Sequence, residues 1–150
     1  MGTFTQLEDD RVYRSPWLTV TDEHTAAVTE LGGYTHRLFT DPQHRAARWA
    51  APILPGGMLL FLAGGLAEAS GLFDDTTMAL VGYGEVSFKA PAMLGDEITL
   101  EMTVAKREDR GRRGVMTMAW RIVTREPKEL ATASPVFVFD TSAGGEEKVQ

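Results

Sequence analysis

Asp41 and His44 lie three residues apart, a spacing that puts a carboxylate and an imidazole on roughly one face of a helix. Such a pair can take and return a proton. Asp41 followed by Pro42 also reads as a helix N-cap with proline at the first helical position, which would occupy the carboxylate. His24, His36 and His44 match no metal-ligand spacing, so no metal centre is expected. Cysteine is absent, which removes thiolate zinc sites, disulfides and a cysteine nucleophile. Gly56-Gly57 stand just ahead of an apolar helical run, where backbone N–H groups can hold an anion or polarise a carbonyl. Lys106, Arg107, Arg110, Arg112 and Arg113 crowd one segment with Glu108 and Asp109. A solvated hairpin tip is the simpler reading of that cluster, and contact with an anionic partner the sharper one.

These residues need elements to position them. Thr21-Asp22-Glu23 begins a helix with acids in its first turn, His24, Ala27, Val28 and Leu31 share a face, and Gly32 offers a left-handed end. Residues 33–40 read as a loop and 41–50 as a second helix, stopped before Pro52. From about residue 58 to 69 the chain is apolar nearly all round, which predicts a helix buried on every side. Gly64 and Gly65 weaken that helix, so they predict close approach by a sheet, a partner helix or a ligand. Glu68 is its only carboxylate.

The second half alternates as strands do. Residues 78–90 form the first, closed by Pro91. After Gly95-Asp96, Ile98, Leu100, Met102 and Val104 point inward and Thr99, Glu101 and Thr103 outward. A polar turn over 106–114 leads into 115–124, and Glu126-Pro127-Lys128 turns again into 130–139, where Pro135 marks an edge or a bulge. Met102, Met116, Met118 and Trp120 read as core. The class is α+β, an antiparallel sheet wrapped around one long helix.

A chain of 150 residues with 43% hydrophobic and 24% charged residues fits one globular domain, with a core over about 12–140 and a flexible tail at 141–150. The net charge of −6 disfavours nucleic acid and anionic membrane as partners. The most apolar stretch, 58–67, is about half a membrane span and runs into Glu68. No basic-then-apolar leader opens the sequence. A soluble, cytoplasmic protein is expected.

The run Val86-Ser87-Phe88-Lys89-Ala90-Pro91-Ala92-Met93-Leu94-Gly95-Asp96-Glu97-Ile98 resembles the strand, proline and Gly-Asp hairpin of the MaoC-like hotdog dehydratases, the (R)-specific enoyl hydratase and acyl dehydratase family. Residues 33–58 (GYTHRLFTDPQHRAARWAAPILPGGM) resemble that family's hydratase segment, G-D-x-N-P-x-H-x-D followed by A-H-G-M. The likeness covers roughly residues 20–140. It implies a hotdog fold, a dimer whose sheets join edge to edge, acyl thioesters of coenzyme A or acyl carrier protein as substrates, and reversible hydration of an enoyl double bond by an Asp and a His.

In register, the family's Asp falls on Tyr34, its Asn on His36 and its His on Phe39, while Gly56 or Gly57 replaces the His of A-H-G-M. The glutamate of the related β-hydroxyacyl-carrier-protein dehydratases falls near Gly64. Phenylalanine has no titratable group and a tyrosine hydroxyl is a weak base at neutral pH, so the standard hydration mechanism loses both its groups. The resemblance therefore makes Tyr34, His36 and Asp41 the catalytic candidates, with His36 as a displaced acid/base and Tyr34 as a donor to a carbonyl or enolate. Phe39, Pro55, Gly56, Gly57 and Met58 become the substrate-binding candidates. No cofactor is expected. The alternatives are a non-catalytic hotdog subunit, paired with itself or with a second chain, and a pocket that isomerises or cyclises a hydrophobic intermediate.

Overall fold

The computed structural model describes residues 6–74 and 78–140, so the tail expected at 141–150 lies outside the described residues. Two short strands that the sequence reading missed, β1 (Tyr13–Arg14) and β2 (Leu18–Thr19), both pair antiparallel with β4 (Glu97–Arg110). Then come α1 (Asp22–Glu30), α2 (Arg37–Thr40), α3 (Pro42–Ala46) and α4 (Gly56–Ala69). β3 (Met78–Phe88), β5 (Arg113–Thr124) and β6 (Glu129–Asp140) complete an antiparallel sheet of order β1-β4-β5-β6-β3, with β2 beside β1 on β4.

The alternation on β4 is realised: Ile98, Leu100, Met102 and Val104 are at most 5% exposed and join Met116, Met118 and Trp120 in one core. Leu59, Ala63, Leu66 and Ala67 of α4 belong to the same cluster, so the helix lies against the sheet. Thr99 departs from the expected outward alternation. It is fully buried because Ser15 gives it a polar partner, its hydroxyl donating to the Ser15 carbonyl at 2.9 Å.

Several boundaries differ from expectation, each for a local reason. The loop expected over 33–40 contains α2, begun by His36, whose Nδ1 accepts the Leu38 N–H at 2.9 Å. The second helix is short, Pro42–Ala46 rather than 41–50. Gly33, not Gly32, takes the left-handed conformation after α1, at φ 74°. α4 starts at Gly56, before Met58, because the Pro55 carbonyl already accepts the Met58 and Leu59 N–H groups. The supposed polar turn 106–114 is mostly strand, since β4 runs to Arg110 and β5 resumes at Arg113. Pro135 lies on an interior strand opposite Tyr83, where β3 changes register between Tyr83 and Val86, which is the bulge alternative.

α4 is not buried on every side within the chain. Phe61 is 78% exposed, and a Cβ built on Gly64 or Gly65 meets no atom within 4 Å. No helix among the described residues is long and apolar enough to cross a membrane.

Candidate functional site

The site loop is tied down at both ends. Upstream, Tyr34 N–H donates to the Val28 carbonyl at 3.2 Å. Downstream, Leu54 N–H donates to Ala92 O at 2.9 Å and Leu94 N–H to Pro52 O at 2.8 Å, fixing the approach to α4 against the Pro91 segment. The Gly95-Asp96 hairpin supports that segment: Gly95 has φ 95° and Asp96 Oδ2 accepts the Met93 N–H at 2.8 Å. Loop, hairpin and helix N-terminus therefore converge on one place.

They border an open cavity of about 290 Å³, walled by Leu38, Phe39, Trp49, Pro55, Gly56, Leu59 and Phe88, with Lys89 the sole charged residue lining it among the described residues. The Lys89 ammonium is turned to Glu129, 3.1 Å away. Larger hollows, of about 510 Å³ beside Met78 and Arg113 and about 410 Å³ over Glu101, Arg121 and Ser134, lie away from the loop and the start of α4. At that start the Gly56 and Gly57 N–H groups are the first two of the helix and make no hydrogen bond to the described residues. The positive end of the helix therefore lies at the cavity lining through Gly56.

The sequence candidates separate here. Phe39, Pro55 and Gly56 line the cavity, whereas Gly57 and Met58 follow on α4 without lining it. Tyr34 does not line it either, but its ring meets that of Phe39 edge-on at 5.2 Å. His36 and His44 face each other outside it, ring centroids 6.0 Å apart. With Nδ1 of His36 accepting from Leu38, Nε2 is the nitrogen left for other work.

Asp41 caps α3: its Oδ1 accepts from Gln43 N–H at 3.0 Å and His44 N–H at 3.4 Å. The His44 N–H, above all, holds this carboxyl below its ordinary range, helped by Gln43 and by Arg37 at 3.7 Å. A carboxylate so stabilised is a poor proton acceptor. Gly64 carries no carboxylate, and Glu68 is exposed on α4. Lys106 and Arg110 are paired with Glu108, and Arg107 with Asp9. The described residues hold no cluster of three metal-ligating side chains.

Sequence reasoning missed Trp49, Phe88 and Lys89 as cavity residues. The signal for Phe88 lay in the space it needs, since a Cβ on Gly56 would fall within 2.8–2.9 Å of its ring.

An antiparallel sheet laid along one central helix, with a cavity at that helix's N-terminus, defines a hotdog-fold protein. Solved structures that resemble it include a MaoC-like dehydratase, an (R)-hydratase and a double-hotdog protein. An (R)-hydratase from A. caviae involved in PHA biosynthesis is 26% identical with a TM-score of 0.71, the match covering 88% of this chain and 96% of that one. A MaoC-like dehydratase from Rhodospirillum rubrum is 21% identical at TM-score 0.70, covering 92% and 97% of the two chains. A double-hotdog protein from Mycobacterium tuberculosis is 18% identical at TM-score 0.78, matching 99% of this chain and 46% of that longer one. No protein-family model matches the chain, and no curated protein matches it.

Proposed function

We propose that this chain is a single MaoC-like hotdog domain of the cytoplasm that takes an acyl thioester, or a related hydrophobic biosynthetic intermediate, into the cavity at the start of α4. The observation that carries this reading is the cavity's composition: apolar walls around Phe39, Trp49 and Phe88, with Gly56, whose backbone N–H has no hydrogen bond to the described residues, in its lining at the start of α4. An acyl chain gains by leaving water for such walls, and a thioester carbonyl finds donors at the helix terminus. Polarising that carbonyl acidifies the adjacent carbon, which favours an enolate-type step, an isomerisation or a cyclisation directed by shape. Hydration needs in addition a base for water and an acid for carbon, and neither an imidazole nor a carboxylate lines the cavity. Outside the cavity, His36 through Nε2, with Tyr34 beside Phe39, is the acid/base group to assign.

The test is hydration of crotonyl-coenzyme A, followed at the thioester absorbance, alongside calorimetric binding of octanoyl-coenzyme A. The expected result is binding without hydration above background. Clear hydration that disappears in His36→Ala would overturn it, because the chemistry would then centre on His36.

A second reading rests on a different observation. β3 is an edge strand with Leu80, Val81, Val86 and Phe88 exposed, and Phe61 protrudes from α4. Such a surface suits a second hotdog chain, either a copy of this one or a catalytic partner that this chain supports.

A further inference from the structure

The site loop carries Arg37 on α2, Arg45 on α3 and Arg48 just beyond α3, and the fold satisfies two of them. Arg37 reaches Asp41 at 3.7 Å, and Arg48 stacks over the Trp49 ring at 5.3 Å from its centroid. Arg45 on α3 has neither an acid nor a ring among the described residues, and its Nε is buried without a hydrogen-bond partner there. Asp41, one turn earlier, answers to His44, Gln43 and Arg37, and Arg45 has no part in its low pKa. The side chain instead lines a small cavity of about 20 Å³ together with Thr25, Val28 and Pro52. Leu38, Phe39 and Ile53 line both this space and the 290 Å³ cavity, so they form the wall between the two.

A half-buried guanidinium with a buried, unbonded N–H is a costly arrangement unless something supplies an acceptor. A space of this size holds one water, which could serve Nε alone. A planar fork of donors is matched better by a two-oxygen anion. We propose that Arg45 is the anion-binding residue of the cavity, receiving the carboxylate of a ligand whose apolar body occupies the larger space once the Phe39 ring turns aside. The ligand class is thus an amphiphilic carboxylate, either a free acid or an acyl thioester whose far end bears a carboxyl group. This rests on reading the larger cavity as the binding site.

Two matched probe pairs test it by calorimetry: octanoate against 1-octanol, and ω-carboxyoctanoyl-coenzyme A against octanoyl-coenzyme A. Each is titrated into the wild type, Arg45→Met and Arg45→Lys, with circular dichroism to confirm folding. The proposal expects the wild type to favour the carboxylate member of at least one pair by tenfold or more. Arg45→Met should abolish that preference while leaving the affinity of the member without the added carboxylate unchanged, and Arg45→Lys should keep part of it. The pair that shows the preference identifies free acid or thioester as the source. A wild type with no preference in either pair, or an Arg45→Met that weakens both members equally, overturns the role of Arg45 and leaves a structural, water-served side chain. Binding of the probes without the added carboxylate, with no preference in either pair, refutes Arg45 alone, whereas no binding of any probe refutes the cavity reading as well.

Discussion

At position 56 the chain needs glycine because of crowding. A Cβ there would approach three ring atoms of Phe88 to 2.8–2.9 Å, closer than carbon atoms tolerate. The ring is half exposed on an edge strand, so it can swing away at little cost. Gly56→Ala should therefore shift stability by less than about 1 kcal/mol, with the better helix propensity of alanine partly offsetting the displaced contact. Binding is where the effect should appear: moving Phe88 reshapes the cavity mouth, and octanoyl-coenzyme A should bind several-fold more weakly. In a Phe88→Ala background the same change should cost much less, which a double-mutant cycle by calorimetry and urea unfolding will read. An equal loss in both backgrounds would place the effect in the backbone at residue 56. The sequence told which residue types stand on the loop, but it could not tell which of them look inward. Asp41 read as both acid/base and cap, and local hydrogen bonds commit it to the cap. Trp49 and Phe88 were invisible as cavity residues because their meeting depends on the Ile53 and Met93 bridge, which joins segments forty residues apart in sequence.

At the scale of elements, α4 and β3 each leave a surface unfinished. Gly57, Phe61, Gly65 and Glu68 are exposed along one side of α4, and a Cβ on Gly64 or Gly65 would meet no neighbour among the described residues. On the second reading proposed above, these small residues would make room for a helix of the second hotdog chain. The β3 edge offers unpaired backbone groups and the exposed Leu80 and Val81. A homodimer formed through this edge and helix face explains both features. Light scattering on the purified chain should give twice the monomer mass, and Val81→Glu or Phe61→Glu should shift it toward monomer while the circular dichroism is kept. A monomeric wild type would exclude the homodimer, and stable capture of a different hotdog chain would favour the supporting-subunit reading. Much of this level was legible beforehand. Period-two alternation at Ile98, Leu100, Met102 and Val104 specified β4 and its buried face. The short pieces were not, because β1, β2 and α2 have two to four residues each and are held by partners distant in sequence or by a single histidine cap. Hydropathy likewise predicted that α4 is buried, but not that Phe61 and the rest of one side are exposed within the chain.

Across the whole molecule, one row of alternating charges crosses the sheet from edge to edge. Arg14 on β1 pairs with Glu101 on β4, Glu101 with Arg121 on β5, Arg121 with Glu129 on β6, and Glu129 with Lys89 just beyond β3. Isolated surface pairs contribute little, but here each inner member serves two partners, and the Glu101 side chain is only 13% accessible. Burial pushes the Glu101 carboxyl upward, and the hydrogen bonds from Arg14 and Arg121 together outweigh it, so the group ends below its ordinary value. Arg121 first and Lys89 second lower Glu129 in the same direction. A carboxyl depressed in the folded state binds its proton less readily than in the unfolded chain. Its stabilising effect is therefore complete above the ordinary carboxylate pKa, about 4.3, and is lost as pH falls through the lower folded value. Wild type should accordingly lose urea resistance below about pH 4. Glu101→Gln, which mimics the protonated state, should be less stable than wild type at pH 7, with the two midpoints converging as the solution is made more acidic. Raising salt at pH 7 should narrow the same gap, since part of the row is open to solvent. A gap that stays constant from neutral to acid pH would show that Glu101 acts through its packing between β1 and β5, and the charge row would then have no part in joining the first strand of the sheet to the last.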